Sequence, residues 1–552
     1  MLVLLSGPAP APARRRGADA LPRLRVAHTA SPASASRERA VRGAAAATSG
    51  ILLALALPPF DLDWLAFVAL VPLLWTWRDA SSRDGALYGF AFGICYYAIV
   101  FEWSRYFGVV AIVPFVLANA AFPTAMGALL GAYTRRGVRS PWLVAALWVV
   151  FEGLRARFPL GGLPWAEVGL VLHDQSWGRA LATWGGIPLA SFVIVAVNGW
   201  LLELGIAAAR RRRHLWVPAA ALGTIVVVVA AATALRPTPQ ATGHVTYALL
   251  QGNDQNRDLT DEEEANDYLT RAHFALAEQL DGRYDLVVFP ESAFERDPQR
   301  NPDLRDEVVD LAARLDATIV VNARTAAPDD GLYNANLVYR PDGTLAGQYA
   351  KRHLVPFGEY VPFRSWLERI PGVAGALDQV SFDYTAGDRR KAFTAGGHRF
   401  ETVICFESAF AAPARDAARD GAEFLVVSTN NRSYRRSGLS AQHVALSQMR
   451  AAETGRPVLH AAISGISAVI DADGRVRDRT ELFAQAITEG RITTTTGTTP
   501  FVRLGDWVLA LCLVGVVATA IVAQRRWVRG GAGGPEGVGA SPERTPRDAP
   551  VD

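Results

Sequence analysis

Three residues in this sequence could do covalent chemistry together: a thiol, an amine and a carboxylate, each just past a predicted strand. The thiol is Cys405, in Glu401-Thr402-Val403-Ile404-Cys405-Phe406-Glu407-Ser408. From His398 to Ile404, apolar Phe400 and Ile404 alternate with polar neighbours, as in a half-buried strand. Phe406, Glu407 and the small pair Ser408-Ala409 then open a helix, whose first amides would favour a thiolate. The other cysteines, Cys95 and Cys512, lie inside long apolar segments, which leaves Cys405 with no disulfide partner in the soluble part.

The amine is Lys351. Nearly every basic residue is arginine, and the only lysines are Lys351 and Lys391. A lysine kept among arginines suits a compact charge that can touch a developing oxyanion. It follows a predicted strand over 344–350. The carboxylate is Glu291, behind the apolar run Asp285-Leu286-Val287-Val288-Phe289 that Pro290 stops. Taken singly, these residues also read as a structural cysteine, a surface charge and a helix-capping acid. Together, at strand ends where layered α/β folds collect their sites, they make a nucleophile, an oxyanion stabiliser and a proton carrier for covalent acyl transfer.

The elements that must position them fall in the second half of the chain. Strands are expected at 244–250, 284–290, 317–322, 333–339, 344–350, 398–405, 423–428, 457–462 and 466–471. Helices are expected at 261–280, 302–315, 408–420 and 438–454. Pro341-Asp342-Gly343 and Ala472-Asp473-Gly474 are turn signals. This texture predicts a layered α/β domain with a mixed sheet over 243–498. The threonine run 493–499 reads as a tether to the last apolar segment.

The first half reads as membrane. Half of the 552 residues are apolar, and 14 are tryptophan. Residues 1–43, rich in Ala, Pro, Ser and Arg, read as a disordered basic cytoplasmic arm. Apolar segments at 44–59, 62–77, 85–101, 108–133, 141–157, 180–208 and 215–235 predict a seven-span domain over 44–235. An eighth span is expected at 506–524, followed by a disordered tail, 525–552. Arginines crowd the arm, Arg78 and Arg83, 135–139, 210–213 and the tail. The positive-inside rule then puts both termini in the cytoplasm and the domain at 243–498 on the outer face. The aromatic loop 158–179 should lie at the outer interface, as a lipid portal or as part of an aromatic belt.

The outer domain resembles the nitrilase, or carbon–nitrogen hydrolase, superfamily. The resemblance is carried by Glu, Lys and Cys in that order, in Phe289-Pro290-Glu291, in Lys351 followed by Phe357-Gly358-Glu359, and in Ile404-Cys405-Phe406-Glu407. Phe-Gly-Glu-Tyr-Val-Pro at 357–362, Thr429-Asn430-Asn431 and the stretch Arg450 to Pro457 share its style. With seven spans before the domain and one after, residues 44–525 resemble the superfamily's membrane branch, the apolipoprotein N-acyltransferases. That resemblance implies a multi-pass helical bundle carrying an extracytoplasmic α-β-β-α sandwich, in a bacterial cytoplasmic membrane. It implies transfer of an acyl chain from a phospholipid donor, through a cysteine thioester, to the N-terminal S-diacylglyceryl cysteine of an apolipoprotein. Glu291 is then the base, Lys351 the oxyanion stabiliser and Cys405 the nucleophile, with Glu359 and Glu407 supporting.

The sequence departs from the family's pattern at Phe406, where a Tyr is expected, and at 254–257 and 432–436, where polar and arginine-rich stretches replace aromatic ones. The catalytic trio fits two other roles, a membrane-anchored amidase with water as acceptor and a scaffold that recruits a partner enzyme. The nine histidines show no ligand spacing with cysteine, so no metal is expected, and no cofactor. The basic arm calls for no nucleic acid, because anionic lipid beside a first span explains it.

Overall fold

The computed structural model describes residues 32–211, 214–253, 262–328, 330–369 and 382–531. Most of the expected arm (1–31), the end of the tail (532–552) and the departing stretch 254–257 lie outside the described residues. The chain forms two compact units, 1–41 and 42–552. The described part of the first is helical from Pro32.

Among the described residues seven α-helices precede the two-sheet domain: α1 (Pro32–Leu55), α2 (Val71–Trp77), α3 (Ser82–Val100), α4 (Val109–Arg135), α5 (Pro141–Arg155), α6 (Ser176–Ala209) and α7 (Trp216–Ala234). Helix α1 starts well before residue 44, so part of the expected arm is ordered. Four described helical segments are long and apolar enough to cross a membrane: 109–135, 176–209, 216–234 and 507–525. The expected span 62–77 is not one helix. It is a 3-10 turn, Asp63–Phe67, followed by the seven residues of α2. Helix α5 has only 15 residues. Helices α3 and α4 pack backbone to backbone: a Cβ on Gly85 would lie 2.3 Å from the Gly127 carbonyl oxygen, so only glycine fits that crossing.

Among the described residues from 240 onward the strands form two six-stranded sheets. The first runs β12-β1-β2-β3-β4-β5 and the second β11-β10-β9-β8-β7-β6. Their strands are β1 (Gln240–Gln251), β2 (Leu286–Val288), β3 (Thr318–Ala326), β4 (Leu332–Tyr339), β5 (Leu345–Ala350), β6 (Ala392–Ala395), β7 (His398–Ile404), β8 (Phe424–Thr429), β9 (Val458–Ala462), β10 (Ala468–Ile470), β11 (Val476–Arg479) and β12 (Ala486–Thr496). At each centre three strands run parallel, β1-β2-β3 and β7-β8-β9, with antiparallel strands outside. The crossovers are helical, as parallel pairing requires: α8 (Glu262–Ala277) and α9 (Pro302–Leu315) on the first sheet, α10 (Ala411–Arg419) and α11 (Leu439–Thr454) on the second. Helix α12 (Trp507–Gly531) ends the described chain.

The period of two along β1 divides the core. Val245, Tyr247 and Leu249 meet the second sheet, while Ala248 and Leu250 meet α8 and α9. The layers are therefore α-β-β-α, as expected. The threonine run is no tether, because Thr493 to Thr496 belong to β12 and pair with β1. Strand β7 alternates in sequence but is buried on both sides from Phe400 onward, since α10 covers one face and the first sheet the other.

Helix α11 is buried all round. Val444 and Ala451 pack on the second sheet, while Leu439, Ala445, Leu446, Met449 and Ala452 join the core of the membrane helices. Glycines break α6 at Gly185 and Gly186, freeing the Ile187 amide. The α11 residue Glu453 accepts that amide at 3.0 Å and the Arg450 guanidinium at 2.8 Å.

Candidate active site

Glu291 follows β2, Lys351 follows β5 and Cys405 follows β7, and the sandwich brings all three to one end of the two sheets. Lys351 is buried, with 1% of its surface exposed, which excludes a surface role. Its ammonium donates to Glu291 Oε1 at 3.1 Å and to Glu359 Oε1 at 2.9 Å. An ammonium has three donors. Two are taken by these carboxylates, and one is left for an incoming oxygen. Burial works against the Lys351 charge, but Glu291 and Glu359 override it and hold the amine protonated well above its ordinary range.

Cys405 sits at the turn from β7 into a five-residue 3-10 turn, Cys405–Ala409, with a left-handed φ of +51°. Backbone of this kind costs on the order of 1–3 kcal/mol and persists where its surroundings hold it. Two groups grip its carbonyl: Ser408 Oγ at 3.0 Å and His443 Nε2 at 3.0 Å. The helix start does not deliver a resting thiolate. Burial first, then the Glu291 charge, push the Cys405 thiol up to about 12 against the pull of Lys351. The nucleophile is therefore stored as a thiol.

Glu359 Oε1 also accepts the Asn334 amide at 2.9 Å, and Oε2 accepts the Val355 backbone N–H at 2.8 Å, closing the turn that carries it. Glu407 is fully buried. It accepts Tyr349 Oη at 2.9 Å and the backbone N–H groups of Arg352 (2.8 Å), His353 (3.1 Å) and Ile404 (2.8 Å). Burial would raise its pKa, but the His353 ring 3.6 Å away and these amides hold it below the ordinary value. One buried carboxylate thus joins the turn after Lys351 to the turn at Cys405.

Several site residues gave no spacing signal. Asn334 Nδ2 donates to both Glu291 Oε1 (2.8 Å) and Glu359 Oε1, and the Asn430 backbone N–H donates to Glu291 Oε2 at 2.7 Å. Asn322 Nδ2 donates to Asn334 and Asn336, and Asn336 reaches across to Thr402 and Ser428 of the second sheet. One signal was present: Asn334 and Asn336 put two amides on one face of an otherwise apolar strand. His443 is buried, and burial lowers its pKa to about 4, so the ring is neutral. Trp165, from the loop 158–179, is buried against it at 5.4 Å and donates to Gln442 Oε1 at 2.8 Å. That loop is a docking element at least at Trp165. The departing residue Tyr434 packs edge-on to Trp103 (5.2 Å) and Phe107 (5.5 Å) of the turn between α3 and α4. Among the described residues no group of His, Cys, Asp and Glu could hold a metal ion.

Two family models match. That of the apolipoprotein N-acyltransferase N-terminal domain covers residues 49–200, and that of carbon–nitrogen hydrolase covers 247–500. The apolipoprotein N-acyltransferase of Geobacter metallireducens is 30% identical over 511 residues, spanning 87% of this chain and 95% of its own length. That of Methylococcus capsulatus is 30% identical over 504 residues, spanning 87% and 96%. Among solved structures, XC1258 of Xanthomonas campestris, a CN-hydrolase superfamily protein, aligns with 50% of this chain and 96% of its own at 21% identity and a TM-score of 0.34.

Proposed function

The chain belongs to the apolipoprotein N-acyltransferase family, and on that premise we propose that Cys405 carries an acyl chain from a membrane phospholipid to the α-amine of an apolipoprotein's N-terminal S-diacylglyceryl cysteine. The observation that carries this reading is the buried ammonium of Lys351, held by Glu291 and Glu359 with Cys405 in the same electrostatic field.

In the first half-reaction the Cys405 sulfur attacks the donor's ester carbonyl, and its proton passes to Glu291. The oxyanion forms against the free N–H of Lys351. Collapse breaks the ester C–O bond, and the protonated Glu291 returns its proton to the departing lysolipid oxygen. Cys405 is left as a thioester. In the second half the acceptor amine attacks that thioester and Glu291 takes the amine's proton. The thiolate then leaves, recovers a proton and an amide results. Neither half needs a cofactor. Asn334 and the Asn430 amide orient Glu291, Glu359 orients Lys351, and Glu407 keeps the two turns in register.

Residues 44–235 and 506–524 are read as the membrane part and 243–498 as the catalytic part. The arginine distribution supports an outer-face catalytic domain with both termini in the cytoplasm. Keeping the chemistry at the bilayer spares a long acyl chain about 0.8 kcal/mol per methylene of exposure to water. The test is to incubate the purified full-length protein with a phospholipid bearing a tagged acyl chain. Label is expected on Cys405, released by neutral hydroxylamine and absent in Cys405→Ala. A folded protein that stays unlabelled with several donors would overturn the reading.

A further inference from the structure

The segment Arg432–Arg436 holds three arginines and no acid, at the place where the sequence departs from its family. The structure packs it on the turn between α3 and α4. Its Tyr434 is half-buried against Trp103 and Phe107. Burial raises the Tyr434 phenol above its ordinary pKa, and the next contributors are Cys405, Lys351, Glu291 and Glu359, so this ring lies within the field of the trio. The next residue, Arg435, lies over the Tyr106 ring at 5.3 Å, and Arg436 lies over the Phe483 ring at 5.5 Å. Both arginines are exposed, and among the described residues neither has a carboxylate within 4.0 Å. A guanidinium held near a ring face and paired with no carboxylate has N–H groups to offer, and its fork matches a phosphate oxygen pair. A few residues along from Tyr106, Val109, Val110 and Val113 expose an apolar start of α4. Cationic groups, an exposed apolar strip and a ring within the field of the thiol thus occur together around Tyr434, and a phospholipid brings a headgroup phosphate, an ester and apolar chains in one molecule.

We propose that Arg435 and Arg436 bind the headgroup phosphate of the acyl donor and bias this chain toward donors whose headgroup carries a net negative charge. The proposal rests on the acyl-transfer reading of Cys405 and adds the donor class. A zwitterionic headgroup brings its own ammonium, which competes for the phosphate and meets two guanidiniums of like charge; a glycerol headgroup does neither.

The test uses the full-length protein in vesicles of ether-linked phosphatidylcholine, whose chains cannot be transferred. These are doped with phosphatidylglycerol or phosphatidylethanolamine bearing one and the same tagged acyl ester, and label on Cys405 is followed. Half-maximal acylation is expected at about tenfold less phosphatidylglycerol than phosphatidylethanolamine. Arg435→Gln with Arg436→Gln should remove that difference by raising the phosphatidylglycerol requirement, whereas the double change to lysine should retain much of it. Equal requirements in the unaltered protein overturn the proposal. So does an equal loss with both donors in the glutamine variant, which would make the arginines general surface anchors. Competition by millimolar inorganic phosphate without a donor preference assigns the pair to a soluble anion and also overturns it. No label from either lipid would contradict the Cys405 reading itself, and the proposal with it; equal labelling contradicts the donor preference alone.

Discussion

Lys351 is the residue on which the site's electrostatics turn. Its ammonium exists because two carboxylates oppose the burial penalty, and removing one should show directly. Glu359→Gln keeps an oxygen for Asn334 and Lys351 but removes a charge. The Lys351 pKa should fall, and the alkaline limb of Cys405 acylation should move to lower pH with a rate loss of roughly tenfold or more. Loss of rate with an unmoved pH profile would show Glu359 to be only structural. Glu291, Lys351 and Cys405, which the structure brings together, stand out in the sequence as an acid behind an apolar run, a rare lysine and a lone thiol, whereas Glu359 and Glu407 entered only through the family resemblance. Asn334 and His443 do not stand out, because an amide and an imidazole gain their roles only when elements of the two sheets meet. The sequence also suggested a thiolate at Cys405. The five-residue turn there cannot outweigh the burial that keeps the thiol protonated.

Among the elements, α11 connects the catalytic sheet to the membrane helices. Its Glu453 serves the broken α6 at Ile187 and neutralises the buried Arg450, which in turn donates to the Ala409 carbonyl beside the Cys405 turn. Glu453→Ala leaves a buried guanidinium and a buried amide unpaired, a loss of about 3–5 kcal/mol. The expected outcome is a lower unfolding temperature in detergent together with weaker Cys405 acylation; unchanged stability would show that the pair is dispensable. Element types were mostly legible from periodicity, including α9 over 302–315 to the residue. What failed had physical causes. Strand β12 is threonine-rich and polar outward, so its period was hidden until β1 supplied the partner. The segment 62–77 had the composition of a span but not the continuity, because a 3-10 turn interrupts it.

For the whole molecule, the catalytic domain holds neutral histidines in its core. Burial lowers His273 and His443 to about 4 from an ordinary value of 6.5, and it also holds His460 well below that value. Between those values the unfolded chain binds protons that the folded chain does not, so stability is complete above pH 6.5 and falls as pH drops toward 4. Each of the first two histidines contributes on the order of 3 kcal/mol over that window. Near-ultraviolet circular dichroism or tryptophan fluorescence of the detergent-solubilised protein should show tertiary structure lost within it, and His273→Gln should lessen the loss; a flat profile to pH 4 would contradict the assignment. The membrane-anchored amidase and the scaffold differ from the acyltransferase in the fate of an acyl group on Cys405: water takes it in the first, and the second never forms it. The deciding measurement is a single-turnover chase: protein labelled on Cys405 with a tagged acyl chain, freed of donor, is mixed with a synthetic peptide bearing an N-terminal S-diacylglyceryl cysteine. Acyl transfer predicts that label leaves Cys405 and appears as an amide on the peptide's α-amine, faster than any release of free fatty acid. Label that leaves only as fatty acid, at a rate the peptide does not change, would contradict it.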